Sequence, residues 1–230
     1  MSATGRGWLQ GFNRHPLLAG LDGSAMSRLV AAATPSSMVR GSMIFREGDQ
    51  GCGIYLVIRG QIKLSLQTGQ GREKVFDLIG AGGSFSEPAV LLGQPQPATA
   101  EAVTDTELVC IGKTALLHEI RHNGQFAERV LGRLAGHLCA YMESMKGHML
   151  LSGTQRVICF LLNNLPDGQA RTDVAITFPA RKGVIASKLN LTQEHFSRIL
   201  RELMSAALIE VTGPQVRIRD VERLRAFQAG

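Results

Sequence analysis

Residues 191–203 read LTQEHFSRILREL, and the fold turns on how this stretch is oriented. On a helix, Phe196, Ile199, Leu200, Leu203 and Met204 follow the i, i+3, i+4, i+7, i+8 rule and predict one buried stripe. Glu194, Ser197, Arg198 and Arg201 then fall on the opposite side. Thr192, just ahead of the helix, is a natural N-cap. The plain account of the polar side is a Glu194–Arg198 ion pair at i,i+4, worth about 0.2–0.5 kcal/mol. Such pairs are ordinary, so the flanking sequence has to decide.

Working outward, RKGVIASKLN (181–190) predicts a shorter helix, with Asn190 suited to the left-handed position of a tight turn. Downstream, two short strands flank Gly213-Pro214, and upstream VAITF (174–178) reads as another strand after the turn-rich PDGQARTD (166–173). Helix, tight turn, helix and hairpin make a winged helix-turn-helix, whose second helix enters the DNA major groove. In that setting Arg198 can contact guanine bidentately, Glu194 can accept from a cytosine amino group, and Ser197 can serve either. Gln193 and Arg201 share the exposed side, and the helix N-terminus favours phosphate. Arg181 and Lys182 are candidate phosphate contacts, which position without specifying. Residues 152–230 hold 11 Lys+Arg against 7 Asp+Glu, so they carry +4 of the formal +6 and lean toward a polyanionic partner.

Residues 36–111 hold short apolar or alternating runs such as GIYLVIRGQIKLSLQ, punctuated by glycines from Gly41 to Gly83 where turns need positive φ. This predicts a small antiparallel β-roll, with a helix before it near Ser24–Ala33. From Thr114 the period changes. Leu131, Leu134, Leu138, Tyr141, Met145 and His148 step by 3 and 4 along one long helix, and a second copy of that helix is the economical partner for the stripe. After a break at Gly153 the helical pattern resumes. The expected class is α+β in three segments: a sensor roll with its N-terminal helix over 1–113, a dimerisation helix and its lead-in over 114–151, and the winged helix-turn-helix over 152–230.

Taken in this order, the segments resemble the CRP/FNR superfamily of bacterial transcription regulators. The most specific motif is Glu194-x-x-Ser197-Arg198, similar to the FNR branch, and the resemblance implies an inverted repeat of TTGAT-like half-sites on double-stranded DNA. GGSFSEP (82–88) resembles the roll segment in which cyclic-AMP binders hold the ribose, which makes Gly82, Phe85, Glu87 and Thr99 effector-pocket candidates. Those binders supply an Arg-Ser pair for the phosphate, whereas Pro97-Ala98-Thr99-Ala100 offers no cation, so cyclic AMP is not expected. Residues 1–51 contain no cysteine, so no iron–sulfur cluster is expected. The remaining resemblance is to regulators of the DNR type, which implies haem and a nitric oxide response, with His15 as candidate haem ligand. Phe85, Val90, Leu91 and Leu92 are then expected to line an apolar pocket. An effector-independent, FixK-like regulator is the alternative. The resemblance also implies a cytoplasmic homodimer that works with RNA polymerase.

Other motifs carry less. His118-Glu119-Ile120-Arg121-His122 satisfies H-E-x-x-H, which makes a zinc hydrolase the enzymatic alternative, with Glu143 the only reasonable third ligand. Gly112-Lys113-Thr114 resembles the end of a phosphate loop, but the glycine needed at 107 is Glu107. Cys52, Cys110, Cys139 and Cys159 are too scattered for a zinc cage or disulfide frame and suit a reducing compartment. No apolar run is long enough to span a membrane, and no signal peptide opens the chain.

Overall fold

The computed structural model describes residues 4–67, 69, 73–166 and 172–227. The chain divides into two compact units, Met1–Cys139 and Ala140–Gly230.

The first unit opens with α1 (Thr4–Asn13), a 3-10 turn (Pro16–Leu18) and α2 (Gly23–Ala31). Strands β1 (Ala33–Met38), β2 (Met43–Phe45), β3 (Gly53–Arg59), β4 (Gln61–Gln67), β5 (Glu73–Gly80) and β6 (Ser84–Phe85) follow, then α3 (Glu87–Leu92), β7 (Thr99–Ala102), β8 (Thr106–Gly112) and α4 (Lys113–His122). Two antiparallel four-stranded sheets result, in the orders β1-β8-β3-β6 and β2-β7-β4-β5. Strand β3 shows why the apolar run at its centre is continuous. Its period of two sends Val57 into the roll with Phe45, Ile62, Phe85 and Leu108, while Ile54 and Leu56 face Phe12, Leu29, Phe126 and Val130 of the helices. Gly11 lets α1 lie directly on this sheet, because any side chain there would collide with Ile58. The turn at Gly60 does need a positive φ (87°), whereas Gly83 does not adopt one. Gly83 is instead required for space, since an added Cβ would sit 2.5 Å from Ile79.

Helix α5 (Gly124–Leu150) is divided between the two units. Its exposed apolar stripe is Leu131, Leu138, Met142, Met145 and Met149, each more than half exposed. Of the expected seam, Leu131, Leu138 and Met145 are exposed, whereas Leu134, Tyr141 and His148 are half-buried. Leu134 packs against the core of the first unit, and His148 Nε2 lies 3.3 Å from the carbonyl of Lys188. Two heptad registers share residues 131, 138 and 145, and sequence spacing alone does not separate them. Met142 and Met149 are exposed alongside these three.

The second unit contains α6 (Gly153–Asn163), β9 (Thr172–Thr177), α7 (Lys182–Lys188), α8 (Gln193–Ser205), β10 (Ile209–Thr212), β11 (Gln215–Asp220) and α9 (Val221–Ala226). The chain break comes at Ser152, which closes a capping box with Gln155, and Gly153 is already helical. An added Cβ at Gly153 would press on Leu191, His195 and Ile199 at 3.1–3.3 Å, so the glycine serves a close approach. The sheet runs β10-β11-β9 and covers a core of Val157, Leu161, Phe178, Ile185, Phe196 and Leu203. Residues 167–171 of the turn-rich link lie outside the described residues. Helices α1, α3 and α9 do not follow from the sequence pattern. All are short, and in α1 only the Trp8–Phe12 pair, in edge contact at 5.7 Å, marks a helical face.

Candidate nucleic-acid interface and sensor pocket

Helix α8 starts as its sequence directs. Thr192 is extended (φ −74°, ψ 157°), and its Oγ1 accepts from the amide of His195 at 3.1 Å. Asn190 takes φ 57°, the left-handed conformation of the tight turn that aligns α7 with α8. Phe196, Ile199, Leu200 and Leu203 are at most 2% exposed, which fixes the rotation of the helix. Met204 departs from the expected stripe and is 37% exposed, next to the fully buried Leu203.

With that rotation fixed, Gln193, Glu194, Arg198 and Arg201 are exposed and Ser197 is half-buried on the same side. Gln193 leans over α7, where Gly183 leaves it room. The expected Glu194–Arg198 pair does not form. Arg198 Nε lies 3.7 Å from Glu202 instead, both side chains about half exposed, an attraction worth only about 0.3–0.5 kcal/mol. Glu194 stays in the first turn, where the unsatisfied amides and positive helix end favour a carboxylate. Arg181 is exposed as the N-cap of α7, and Lys182 is half-buried beside it. On the wing the cations are already matched: Arg217 bonds Asp173 at 3.0 Å, and Arg219 bridges Asp173 and Glu210. Arg181, just ahead of α7, and Arg198 and Arg201 of α8 are exposed cations.

In the first unit the four effector-pocket candidates separate. Gly82 (φ 80°) makes a turn, and Phe85 lies in the roll core, its ring stacked on Tyr55 at 5.1 Å. Thr99 Oγ1 accepts from the amide of Glu47. Only Glu87 lines the crevice between roll and helices, with Leu17, Ile54, Leu91, Leu116, Val130 and Arg133. The crevice has no room for a water molecule. Glu87 is 3% exposed, and its Oε1 has no hydrogen-bond partner among the described residues. Arg133 Nε donates to Ser84 Oγ at 3.2 Å. The residue that reaches Ser86 beside Glu87 is Gln96, whose Nε2 donates to Ser86 Oγ at 2.6 Å. The sequence reading missed both Gln96 and Arg133. Gln96 directly precedes the cation-free Pro97–Ala100 stretch, and Arg133 arrives from α5, distant in sequence from the roll.

Haem does not fit these residues. The expected apolar pocket is not formed: Val90 is in the core, Leu92 is 68% exposed, and only Leu91 faces the crevice. With no room even for a water molecule, the crevice is far from the roughly 300–1,000 Å³ of ligand pockets. His15, the candidate ligand, is buried with both ring nitrogens engaged. Nδ1 accepts from Leu17 N at 3.3 Å, so Nε2 carries the proton and donates to Gly83 O at 3.1 Å. The zinc-hydrolase motif is likewise absorbed by structure. Glu119, 1% exposed, is held by Arg28 through both carboxylate oxygens, so it is not free to act as a base. His122 bonds the His118 carbonyl, Glu143 pairs with Lys146, and no group of three metal-binding side chains occurs among the described residues. The four cysteines are free thiols, and no helix among the described residues is long and apolar enough to cross a membrane.

Two families match the chain: the cyclic nucleotide-binding domain over residues 36–123 and the Crp-like helix-turn-helix domain over residues 155–227. The chain is 24% identical over 216 residues to the CRP-like cAMP-activated global transcriptional regulator of Mycobacterium tuberculosis, covering 92% of this chain and 95% of the relative. It shares its fold with FixK2 from Bradyrhizobium japonicum (TM-score 0.77, 23% identity, 86% of this chain and 98% of that one). It also resembles DNR from Pseudomonas aeruginosa (TM-score 0.50, 26% identity, 95% and 96% covered).

The state of His15 has a measurable consequence. Burial pushes its pKa below the usual 6.5, the hydrogen bond to Gly83 opposes this, and the charge of Arg133 adds to the depression. A depressed folded-state value means the unfolded chain binds the proton first. The stability His15 lends is complete above about pH 6.5 and is lost progressively as pH falls below it. Urea unfolding of the first unit should weaken from pH 7 to 5, and His15→Gln should flatten that slope. Equal slopes in the two proteins would contradict a buried neutral ring.

Proposed function

We propose, for a chain that belongs to the CRP/FNR superfamily of transcription regulators, that it binds an inverted repeat of TTGAT-like half-sites as a homodimer. The observation that carries this is the rotation of α8, which commits four apolar side chains to the core and leaves Glu194, Ser197, Arg198 and Arg201 facing out. Arg198 and Glu194 read base edges, and Arg181 and Lys182 hold phosphates. The exposed stripe Leu131, Leu138, Met142, Met145 and Met149, spaced 7, 4, 3 and 4, supports a two-helix seam with a second copy. Two-fold symmetry then presents two recognition helices to half-sites about one helical turn apart. A cytoplasmic location and contact with RNA polymerase belong to the same reading.

For the effector, the packing supports an effector-independent regulator. The crevice is closed, Arg133 is already engaged by Ser84, and the carboxylate of Glu87 would repel a phosphate. A second reading, cyclic AMP, is favoured by one observation: Arg133 supplies a cation beside Glu87, whose Oε1 lacks a donor. The relative from M. tuberculosis is named as activated by that nucleotide.

Arg198→Ala and Glu194→Ala should each cost about 1–3 kcal/mol on the preferred site and relax preference at single base pairs, whereas Lys182→Ala should weaken all sequences alike and lower the salt slope by about one. Binding curves on matched and altered sites at several salt concentrations separate the two classes. Equal loss on specific and random DNA for Arg198→Ala would remove its base-reading role.

Leu138→Lys introduces a charge into the apolar seam, which is costly without a partner. Sedimentation should show a monomer, and binding to the two-half-site DNA should fall steeply. A dimer of unchanged affinity would refute the seam.

Titration calorimetry with cyclic AMP should give no heat above dilution, and added haem should keep its free-haem spectrum. Micromolar binding of the nucleotide would move the reading to a cyclic-AMP sensor. A shifted Soret band that responds to nitric oxide would restore haem.

A further inference from the structure

The turn between α7 and α8 follows a helix end whose last carbonyls have no intrahelical partner and carry the negative end of the dipole. Two side chains from outside the motif reach them. Arg156 of α6 donates from Nε to the carbonyl of Leu189 at 2.9 Å, and its Nη2 lies 3.5 Å from that of Asn190. The same guanidinium donates from Nη1 to the carbonyl of Leu151, just past the end of α5, at 2.8 Å. His148, in the last turn of α5, approaches the carbonyl of Lys188 at 3.3 Å. All of these residues lie within the second unit.

The place of Arg156 in α6 is not favoured by the helix itself. It stands in the fourth position, near the positive helix end, where a cation gains nothing from the dipole and no acidic residue accompanies it in the first turn. What the position does offer is reach. A planar guanidinium presents five N–H donors in a fixed fork. One edge serves the end of α5 and the other serves the turn of the DNA-reading motif. Three backbone segments, the end of α5, the start of α6 and the α7–α8 turn, are thereby tied through one side chain. A lysine ammonium, a compact point charge, cannot span the same carbonyls.

We propose that Arg156 is a positioning residue for DNA binding: it fixes the angle between the last turn of α5 and the α7–turn–α8 motif, and so the spacing at which a dimer presents its two recognition helices. This rests on the DNA-binding reading above. Arg156 touches no base-reading side chain, so it governs the distance between half-sites, and base preference within a half-site is set separately by α8.

The test uses the full chain and half-sites selected by the wild type from random DNA. These are rebuilt as inverted repeats with the selected spacer, and with spacers one base pair shorter and longer. Arg156→Gln should bind the selected spacer about tenfold more weakly and discriminate less among spacers, with base preference inside each half-site unchanged. Arg156→Lys keeps the charge and should recover binding to random DNA but not spacer discrimination. Circular dichroism melts establish that each variant is folded, and if Arg156→Gln is not, Arg156→Lys is read alone. A folded variant with wild-type spacer preference overturns the proposal, as does a loss that is equal on every spacer. A wild type that selects no DNA would overturn the regulator reading and the clamp with it, whereas a wild type that selects a site and a variant that matches it would remove only the clamp.

Discussion

The packing of Phe196, Ile199, Leu200 and Leu203 into one side of α8 is the constraint on which the rest depends. Each is almost completely buried, and burying such a side chain is worth about 1.5–3 kcal/mol. Together these contacts far exceed the few tenths available to the exposed Arg198–Glu202 pair. The core therefore sets the rotation of the helix, and the polar residues face wherever that rotation leaves them. Because surface pairing is weak, those polar side chains remain available to a partner that offers stronger, directional contacts.

The first unit obeys a different logic. Strand β3 is buried on both faces, against the roll on one and the helices on the other, so its sequence is apolar without alternation. Polar groups trapped between the layers are mostly matched: His15 with Gly83 and Leu17, Arg133 with Ser84, Gln96 with Ser86, Glu119 with Arg28. Among the described residues three buried polar atoms are unmatched: Glu87 Oε1 and Gln96 Oε1, near the left-handed Ser86 (φ 78°), and Arg129 Nη1. An unpaired buried acceptor costs about 1–3 kcal/mol, and strain of this sort gathers at functional sites.

Short motifs fared worse than patterns. The H-E-x-x-H run has the right spacing for a metal, yet Glu119 faces inward to Arg28 and the two imidazoles stack on each other at 4.3 Å. The expected haem pocket failed for a related reason. Phe85, Val90, Leu91 and Leu92 are adjacent in sequence, but a strand end followed by a short helix distributes them over two cores, a crevice and the solvent. Adjacency along the chain does not imply a common surface.

The sequence by itself determined the local and periodic features. These were the α8 stripe and its Thr192 cap, the left-handed turn at Asn190, the glycine-punctuated strands of the roll, the long helix over residues 127–149, and hence the order roll, helix, winged motif. Local chemistry and a fixed residue period encode all of these, so they can be read without coordinates. Only the tertiary structure decided which apolar residues of α5 are exposed, that Arg198 turns to Glu202, that His15 is locked by Gly83, that Arg133 lines the crevice and that Gln96 reaches Ser86. Each of these depends on residues brought together from distant parts of the chain, and on the small energy differences by which packing chooses among arrangements that the local pattern leaves equally open.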